Sequence, residues 1–426
     1  MSVETKTLEP DVPAGVSTLA QLLDWRAGQH PDRQAVTLFG GGRSPDNGLT
    51  FGELRDRVQN LADVLRDRHL RGECVAIMGR QSSEYLVGFL ACQVAEAIAV
   101  PLAAPRRGRQ PNGYEAILHD CRAQALIRSA SEGSDDAASR SPDPWSPTVE
   151  RLSPSPLTGD SALADRPADL SFLQYTSGST SAPRGVMIRH ENVLSNLRYI
   201  HEWGALRPGD VAVEWLPLYH DMGLMTALYA VYAGAHNVLL SPLEVVQQPT
   251  LWLEAISRFG AVFSGGPNFL FDLASRAVRP DSRHDWNLSA WQVAFCGAEP
   301  IRADSLKAFA AALQPYGFDP RAFLPCYGLA EFTVAVTGRP RGAGLVTRDV
   351  RRADLSQGRI VPVDGDDGET GRQTLVSCGT TGTGHDIRIV DPERATDVAE
   401  GDVGEIWARG PSRGLGYWRR PADTQS

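Results

Sequence analysis

Lysine is almost missing from this sequence. Its 426 residues hold only Lys6 and Lys307, so arginine carries nearly all of the positive charge. Paired cysteines are missing too. Cys74, Cys92, Cys121, Cys296, Cys326 and Cys378 form no Cys-x-x-Cys pair, and most stand in apolar runs. They read as reduced, buried thiols of a cytoplasmic protein. A basic excess is absent: the net charge is −9. That argues against a nucleic-acid partner, which needs a basic face, but leaves room for a local phosphate pocket. The opening MSVETKTLEPDV has no apolar core, so no signal peptide is expected. No run approaches the roughly 20 apolar residues of a membrane span. The Walker pattern G-x-x-x-x-G-K-[ST] is also absent.

What remains is ordinary globular composition, 42% hydrophobic and 22% charged, in a chain long enough for two or three packed subdomains. Residues 1–16 read as a flexible tail. From Ser17 helix and strand patterns alternate. Helices are predicted over 19–29, 83–96 and 114–121, and strands over 35–39, 74–78, 98–102 and 125–127. Thr50 and Glu53 have capping-box spacing ahead of Leu54, Val58, Leu61 and Leu65 at helical spacing. Repeated strand–helix–strand units imply an α/β fold with doubly wound parallel sheets. Residues 129–165, rich in Ser, Asp, Pro and Ala, read as a mobile surface connection. The alternation resumes at Leu170, with strands at 211–216, 237–240, 261–264 and 292–295 and helices at 250–259, 268–277 and 303–313. Past Gly338 short alternating segments with Gly and Asp turns suggest a small β-subdomain.

Five strings carry candidate chemistry. In YTSGSTSAPRGV, an apolar strand runs into Thr176, Ser177, Gly178, Ser179 and Thr180, and Arg184 follows. Hydroxyls, free backbone N–H groups and one guanidinium suit polyphosphate binding; a plain Ser/Thr/Gly linker is the competing reading. In WLPLYHDMGLM, His220 follows a strand and precedes a helix. A histidine there can approach a carboxylate or phosphate, or it is a structural residue paired with Asp221. In FSGGPNFLFDLASR, Gly265 and Gly266 permit close backbone approach, and Phe269, Leu270 and Phe271 either line an apolar channel or pack as helix core. VAFCGAEPIR places a tight turn, Gly297, Ala298, Glu299 and Pro300, after a buried strand. FLPCYGLAEFTVAV contains Cys326, Tyr327, Gly328, Leu329 and Glu331; taken alone, Tyr327 reads equally as a core aromatic and Glu331 as a solvated acid.

Together these strings resemble, in order and spacing, the signatures of the adenylate-forming superfamily: acyl-CoA synthetases, luciferases and peptide-synthetase adenylation domains. LPLYHDMGL, SGGPNF, FCGAEPIR and PCYGLAE are closest to its fatty acyl-AMP ligases. So is the stretch 342–373, which resembles the extra segment separating that subgroup from CoA-using relatives; a generic charged loop is the alternative. GEIWARGPSRGLGYWRRP, 404–421, resembles a further, largely structural segment. The resemblance covers Leu19 to the end. It departs from the pattern at Ser181, usually Gly, and at Arg184, usually Lys.

The resemblance implies two interleaved α/β subdomains, about 17–165 and 166–341, followed by an insertion and a small distorted β-barrel over about 342–426. It implies ATP and Mg²⁺, a fatty acid substrate, and transfer to the phosphopantetheine thiol of an acyl carrier protein. Residues 176–180 and Arg184 would hold phosphates. His220 would lie beside the acyl carboxylate, with Met222, Gly265, Gly266 and Phe269 around the acyl chain. Residues 297–300 would frame the adenine, with Cys326, Gly328 and Leu329 beside it. Tyr327 would stack on the ring, and Glu331 would hold the metal. A C-terminal lid domain with a catalytic lysine, present in full-length relatives, is not expected within these 426 residues, because neither Lys6 nor Lys307 matches it. A truncated chain is favoured over a natural split, with adenylation slowed on the order of 10²-fold. The alternatives are an acyl-CoA synthetase or other carboxylate-activating domain (aryl or amino acid), and a catalytically silent acyl-adenylate-binding module.

Overall fold

Two mostly parallel sheets organise the chain, and their strands interleave along the sequence. A computed structural model describes residues 11–40, 48–104, 114–128, 148–152, 169–176, 183–278, 284–363 and 371–425. One sheet has six strands, in the order 148–151, 125–128, 74–79, 98–103, 170–176, 184–189. The other has seven, in the order 323–325, 293–296, 263–266, 211–214, 236–240, 34–39, 49–50. The earliest strand, Gln34–Phe39, pairs parallel with His236–Leu240 and so joins the sheet built mainly from the later sequence.

The central strands are fully buried, as parallel strands covered on both faces must be. All six residues of Cys74–Gly79 are buried, and so are all four of Val293–Cys296. The expected helix after Thr50 spans Phe51–Asp67, with both capping-box hydrogen bonds formed. The Leu19–Gln29, Tyr114–Cys121, Thr250–Phe259, Asn268–Ala277 and Ala303–Leu313 helices also lie where the sequence places them. The Asp221–Ala233 helix is buried on nearly every side, consistent with a helix that is apolar all round. All six cysteines are free, four buried and two half-buried. Among the described residues no helix is long and apolar enough to cross a membrane.

Two expectations need correction. Within 129–165 the segment Thr148–Arg151 is a strand, pairing antiparallel with Ala125–Arg128 at a sheet edge. Its side chains are largely exposed, so no apolar alternation announced it; its place comes from backbone hydrogen bonds to an edge. Residues 129–147 and 153–168 lie outside the described residues. The expected β-barrel is the second correction. Thr347–Arg351 pairs with Arg372–Val376, and Asp386–Asp391 pairs with both Thr396–Asp397 and Glu405–Arg409. Among the described residues these form one two-stranded and one three-stranded sheet, and no closed barrel. The outer strand of two residues is too short to carry pairing onward.

The segment after Gly410 returns to the six-stranded sheet. Met187 N donates to Gly416 O at 2.9 Å, Leu415 N donates to Met187 O at 2.9 Å, and Trp418 N donates to Gly185 O at 2.7 Å. The GLGYW string therefore docks along the strand that follows the Ser/Thr/Gly loop.

Candidate active site

In an open α/β sheet, ligands bind outside the carboxyl ends of parallel strands. Strands Val211–Glu214, Phe263–Gly266, Val293–Cys296 and Phe323–Pro325 run parallel, so their carboxyl ends share one side. The residues after three of them meet at one cavity of about 190 Å³, whose wall includes His220, Met222, Ala298, Cys326, Tyr327 and Gly328. Six sequence candidates from three separate strings thus meet in one place.

Behind this mouth the cavity is mostly apolar. Met225, Thr226 and Tyr229 line it from the Asp221–Ala233 helix, and Ile200 and Trp203 from the His190–Gly204 helix. Phe263 and Phe295 come from the sheet, and Val334 and Ala335 close it beyond Tyr327. The sequence reading did not assign these residues to the site. A signal existed for part of the wall: Met222, Met225, Thr226 and Tyr229 follow the i, i+3, i+4, i+7 spacing of one helix face. Core packing uses the same spacing, so the pattern alone does not separate the two.

His220 is the N-cap of the Asp221–Ala233 helix. Its side chain is 56% exposed, and Nδ1 lies 2.5 Å from Asp221 Oδ1. The hydrogen bond to Asp221 raises the His220 pKa, outweighing the opposing effect of desolvation. The imidazolium therefore persists to higher pH than in a free histidine and can attract an anionic group at the cavity mouth. Gly223 fixes this turn. A Cβ there would stand 2.3 Å from Pro217 O and 2.6 Å from Leu216 O.

Glu214 lies behind the same helix and is 1% exposed. Its Oε1 accepts from Leu216 N at 2.5 Å, and Oε2 is buried without a hydrogen-bond partner. Burial raises its pKa well above the carboxylate range. A raised folded-state value contributes stability that is complete below the unfolded carboxyl pKa and is lost as pH rises through the folded one. Glu214→Gln removes this titration. The variant is expected to gain melting temperature relative to wild type at pH 8.5 and to gain least at pH 4.5, measured by calorimetry. Parallel profiles would remove Glu214 as the source.

The Gly297–Pro300 turn is tied to the Asn268–Ala277 helix in both directions. Glu299 Oε1 accepts from Phe269 N at 2.6 Å, and Asn268 Oδ1 accepts from Arg302 N at 2.9 Å. Gly297 is buried, while Ala298, Glu299 and Pro300 are exposed, and Ala298 takes a φ of 67°. That left-handed geometry is uncommon for a residue with a Cβ. Gly265 and Gly266 are buried in their strand. Added Cβ atoms would lie 2.0 Å from Phe295 O and 2.7 Å from the Trp215 ring, respectively. Both glycines therefore admit neighbouring protein groups, and neither is among the cavity-wall residues. Phe269 is 40% exposed and edge-on to Trp215. Leu270 and Phe271 are core, Phe271 packing on Trp252 and Phe309.

Tyr327 and Gly328 form a two-residue strand against Ala335–Thr337. A Cβ on Gly328 would collide with Val334 O at 1.7 Å. Burial, with Glu331 second, raises the Tyr327 pKa, so its phenol stays neutral. Leu329 is half-buried and holds Val334 O through its N–H at 2.9 Å. Glu331 sits in the following short 3₁₀ turn, and Tyr417 Oη donates to its Oε1 at 2.6 Å. Burial, then this bond, pushes the Tyr417 pKa up to about 12. Arg184 lies over the Tyr417 ring at 5.6 Å and 3.7 Å from Asp423 Oδ2. Thr176 pairs with Arg184 across the hairpin. Ser177, Gly178, Ser179 and Thr180 lie outside the described residues. Glu331 and Arg184 are thus linked through one tyrosine on the returning C-terminal segment.

Among the described residues no group of three or more His, Cys, Asp or Glu could hold a metal ion. A lone Glu331 carboxylate does fit magnesium in its usual role, where one or two carboxylates act together with substrate phosphates and water.

A profile of AMP-binding enzymes matches residues 23–418. The chain belongs to the AMP-binding enzyme family. Among the relatives of this AMP-binding enzyme is JamA of Moorena producens (strain JHB), a medium-chain-fatty-acid–[acyl-carrier-protein] ligase. It is 32% identical over 96% of this chain and 71% of its own length. The long-chain-fatty-acid–AMP ligase FadD26 of Mycobacterium bovis is 33% identical over 97% of this chain and 73% of its own. The AMP-binding fold here also superposes on a fatty acyl-adenylate ligase from L. pneumophila, solved with acyl adenylate and pyrophosphate. That match has a TM-score of 0.84 and 29% identity, covering 96% of this chain and 72% of the other.

Proposed function

We propose that this AMP-binding enzyme activates a medium-chain fatty acid with ATP, giving acyl-AMP and pyrophosphate, for transfer to the thiol of an acyl carrier protein. The observation that carries the reading is the single cavity that joins His220 and Tyr327 at its mouth to an apolar interior along the Asp221–Ala233 helix. Its depth suggests the chain length. From His220 to Tyr229 a helix advances about 13 Å, at about 1.5 Å per residue. An extended alkyl chain with bonds of about 1.5 Å advances about 1.3 Å per carbon, so about ten carbons reach Tyr229.

In this reading the fatty carboxylate oxygen attacks the α-phosphorus, and the bond to the leaving pyrophosphate breaks. Charge gathers around phosphorus, and positioning with fixed electrostatics lowers the barrier. His220, whose pKa the hydrogen bond to Asp221 raises, orients the carboxylate. Arg184 offers a guanidinium to the phosphates from the end of the hairpin. Tyr327 stacks on the adenine, and the Gly297–Pro300 turn frames its edge with backbone groups. Glu331, its carboxylate held in place by Tyr417, would hold magnesium, which would supply neutralising charge to the phosphates. A cytoplasmic setting accords with the free thiols.

The test is mass spectrometry of the chain incubated with ATP, magnesium, decanoate and CoA. Decanoyl-AMP and pyrophosphate are expected, without decanoyl-CoA. Decanoyl-CoA would instead favour a CoA synthetase, and no adenylate, even with a lid domain supplied, would favour a silent binding module. Glu331→Gln is expected to weaken ATP binding about tenfold in magnesium, the loss of roughly one charge-assisted contact, and to leave binding in EDTA unchanged. Equal affinities in magnesium would remove Glu331 from the metal role. Tyr327→Ala is expected to weaken AMP binding about fivefold through lost stacking, read by calorimetry; an unaltered dissociation constant would end that assignment.

A further inference from the structure

His220 ends a turn that belongs to the seven-stranded sheet, yet much of that turn is held from the six-stranded sheet. The turn, residues 215–220, lies between the strand Val211–Glu214 and the Asp221–Ala233 helix. It has neither a ladder nor a helix of its own, so its backbone polar groups need other partners. Three of the bonds are local. Leu216 N donates to Glu214 Oε1 at 2.5 Å, His220 N donates to Pro217 O at 3.0 Å, and His220 O accepts from Leu224 N at 2.9 Å. Three more come from two glutamines. Gln81 Nε2 donates to Leu216 O at 2.9 Å, and Gln81 Oε1 accepts from Leu218 N at 3.0 Å. Gln174 Nε2 donates to Tyr219 O at 3.1 Å.

Both glutamines stand at the carboxyl ends of strands in the six-stranded sheet. Gln81 follows Cys74–Gly79, and Gln174, which is 3% exposed, lies near the end of Leu170–Thr176. The single amide of Gln81 spans two alternate residues of the turn, donating to one and accepting from the other, as the backbone of a neighbouring strand would. Glutamate lacks the donor for this, and methionine lacks both groups. Gln174 ties the strand that leads into the Ser/Thr/Gly loop to the turn that carries His220. The His220 side chain is 56% exposed, so its place at the cavity mouth depends on its backbone and on Asp221 more than on packing.

We infer that Gln81 and Gln174 are positioning residues, which clasp the 216–220 turn to the six-stranded sheet and thereby set His220 at the mouth of the acyl cavity. The inference rests on the carboxylate-orienting role proposed above for His220 and adds the two side chains that enforce it. Neither glutamine touches the substrate; both act through the backbone of the turn.

The test is a double-mutant cycle between Gln81→Met and His220→Ala, read by calorimetric titration with a non-hydrolysable sulfamoyl-adenosine analogue of decanoyl-AMP and with AMP. His220→Ala is expected to weaken the analogue about tenfold, the loss of roughly one charge-assisted hydrogen bond. Gln81→Met is expected to weaken it by a similar factor in the wild-type background and by less than about twofold in the His220→Ala background, with AMP binding within about twofold throughout. A merely structural role would weaken AMP and the analogue alike, and in both backgrounds. Gln174→Met is expected to repeat the pattern, and serves if Gln81→Met does not fold. If His220→Ala weakens the analogue while the glutamine variants leave it unchanged, or weaken it equally in both backgrounds, the inference is overturned and the acyl-activating reading stands. If His220→Ala binds the analogue as wild type does, the role of His220 falls and the inference with it. A wild-type chain that does not bind the analogue overturns both the inference and the acyl-activating reading.

Discussion

Met225→Trp is expected to abolish acyl-adenylate binding, by at least about 100-fold, or about 2.7 kcal/mol, while AMP binding stays within threefold. Met225 is 1% exposed and lines the cavity between Met222 and Tyr229 on one helix face. An indole in its place fills space that an acyl chain would occupy. In the reading proposed above the nucleotide meets other elements, Tyr327 and the Gly297–Pro300 turn, so the two effects should separate. Overpacking a buried position also costs about 1–3 kcal/mol of stability, and a thermal melt of the variant reads that cost independently. The same titration decides the point: a variant that still binds the decanoyl adenylate analogue as wild type does would show that the acyl chain lies elsewhere.

Gly223→Ala is expected to damage fold and site together. Its Cβ would meet two backbone carbonyls, Pro217 O at 2.3 Å and Leu216 O at 2.6 Å. Unlike a flexible side-chain tip, a carbonyl in a tight turn cannot step aside without moving the chain. That turn carries His220 and begins the helix that walls the cavity. A loss on the order of 3 kcal/mol in denaturant unfolding follows from forced backbone strain in a packed turn. Binding of the adenylate analogue should fall as well, through displacement of His220. A change within about 0.5 kcal/mol, the range of a neutral surface substitution, would mean the turn absorbs a methyl group and does not fix the site.

Much of this was legible in the sequence for a physical reason. Strands such as Cys74–Gly79 and Val293–Cys296 are buried on both faces, so they read as unbroken apolar runs. Thr50 and Glu53 announced a helix by chemistry that needs no tertiary context. The strings around His220, Ala298 and Tyr327 were visible because they stand at strand ends, where turn glycines and polar groups interrupt apolar runs. What was hidden depends on long-range placement. The edge strand Thr148–Arg151 has exposed side chains and owes its existence to its neighbour's unpaired backbone. Gly265 and Gly266 suggested close backbone approach, and the protein groups that stand where their Cβ atoms would lie are Phe295 and Trp215. Trp203 lies 17 positions before His220 and reaches the cavity only because two helices pack together. No local pattern distinguishes it from a core tryptophan.

If the cavity at the strand ends is an acyl pocket, it continues into a nucleotide site. Calorimetric titration of the chain with a non-hydrolysable decanoyl-AMP analogue, with decanoyl-CoA and AMP as controls, tests this most directly. The adenylate is expected to bind at least about tenfold tighter than AMP, the increment an occupied apolar cavity supplies, with no measurable binding of decanoyl-CoA. An adenylate that binds no better than AMP, or a CoA thioester that binds as well, would contradict it.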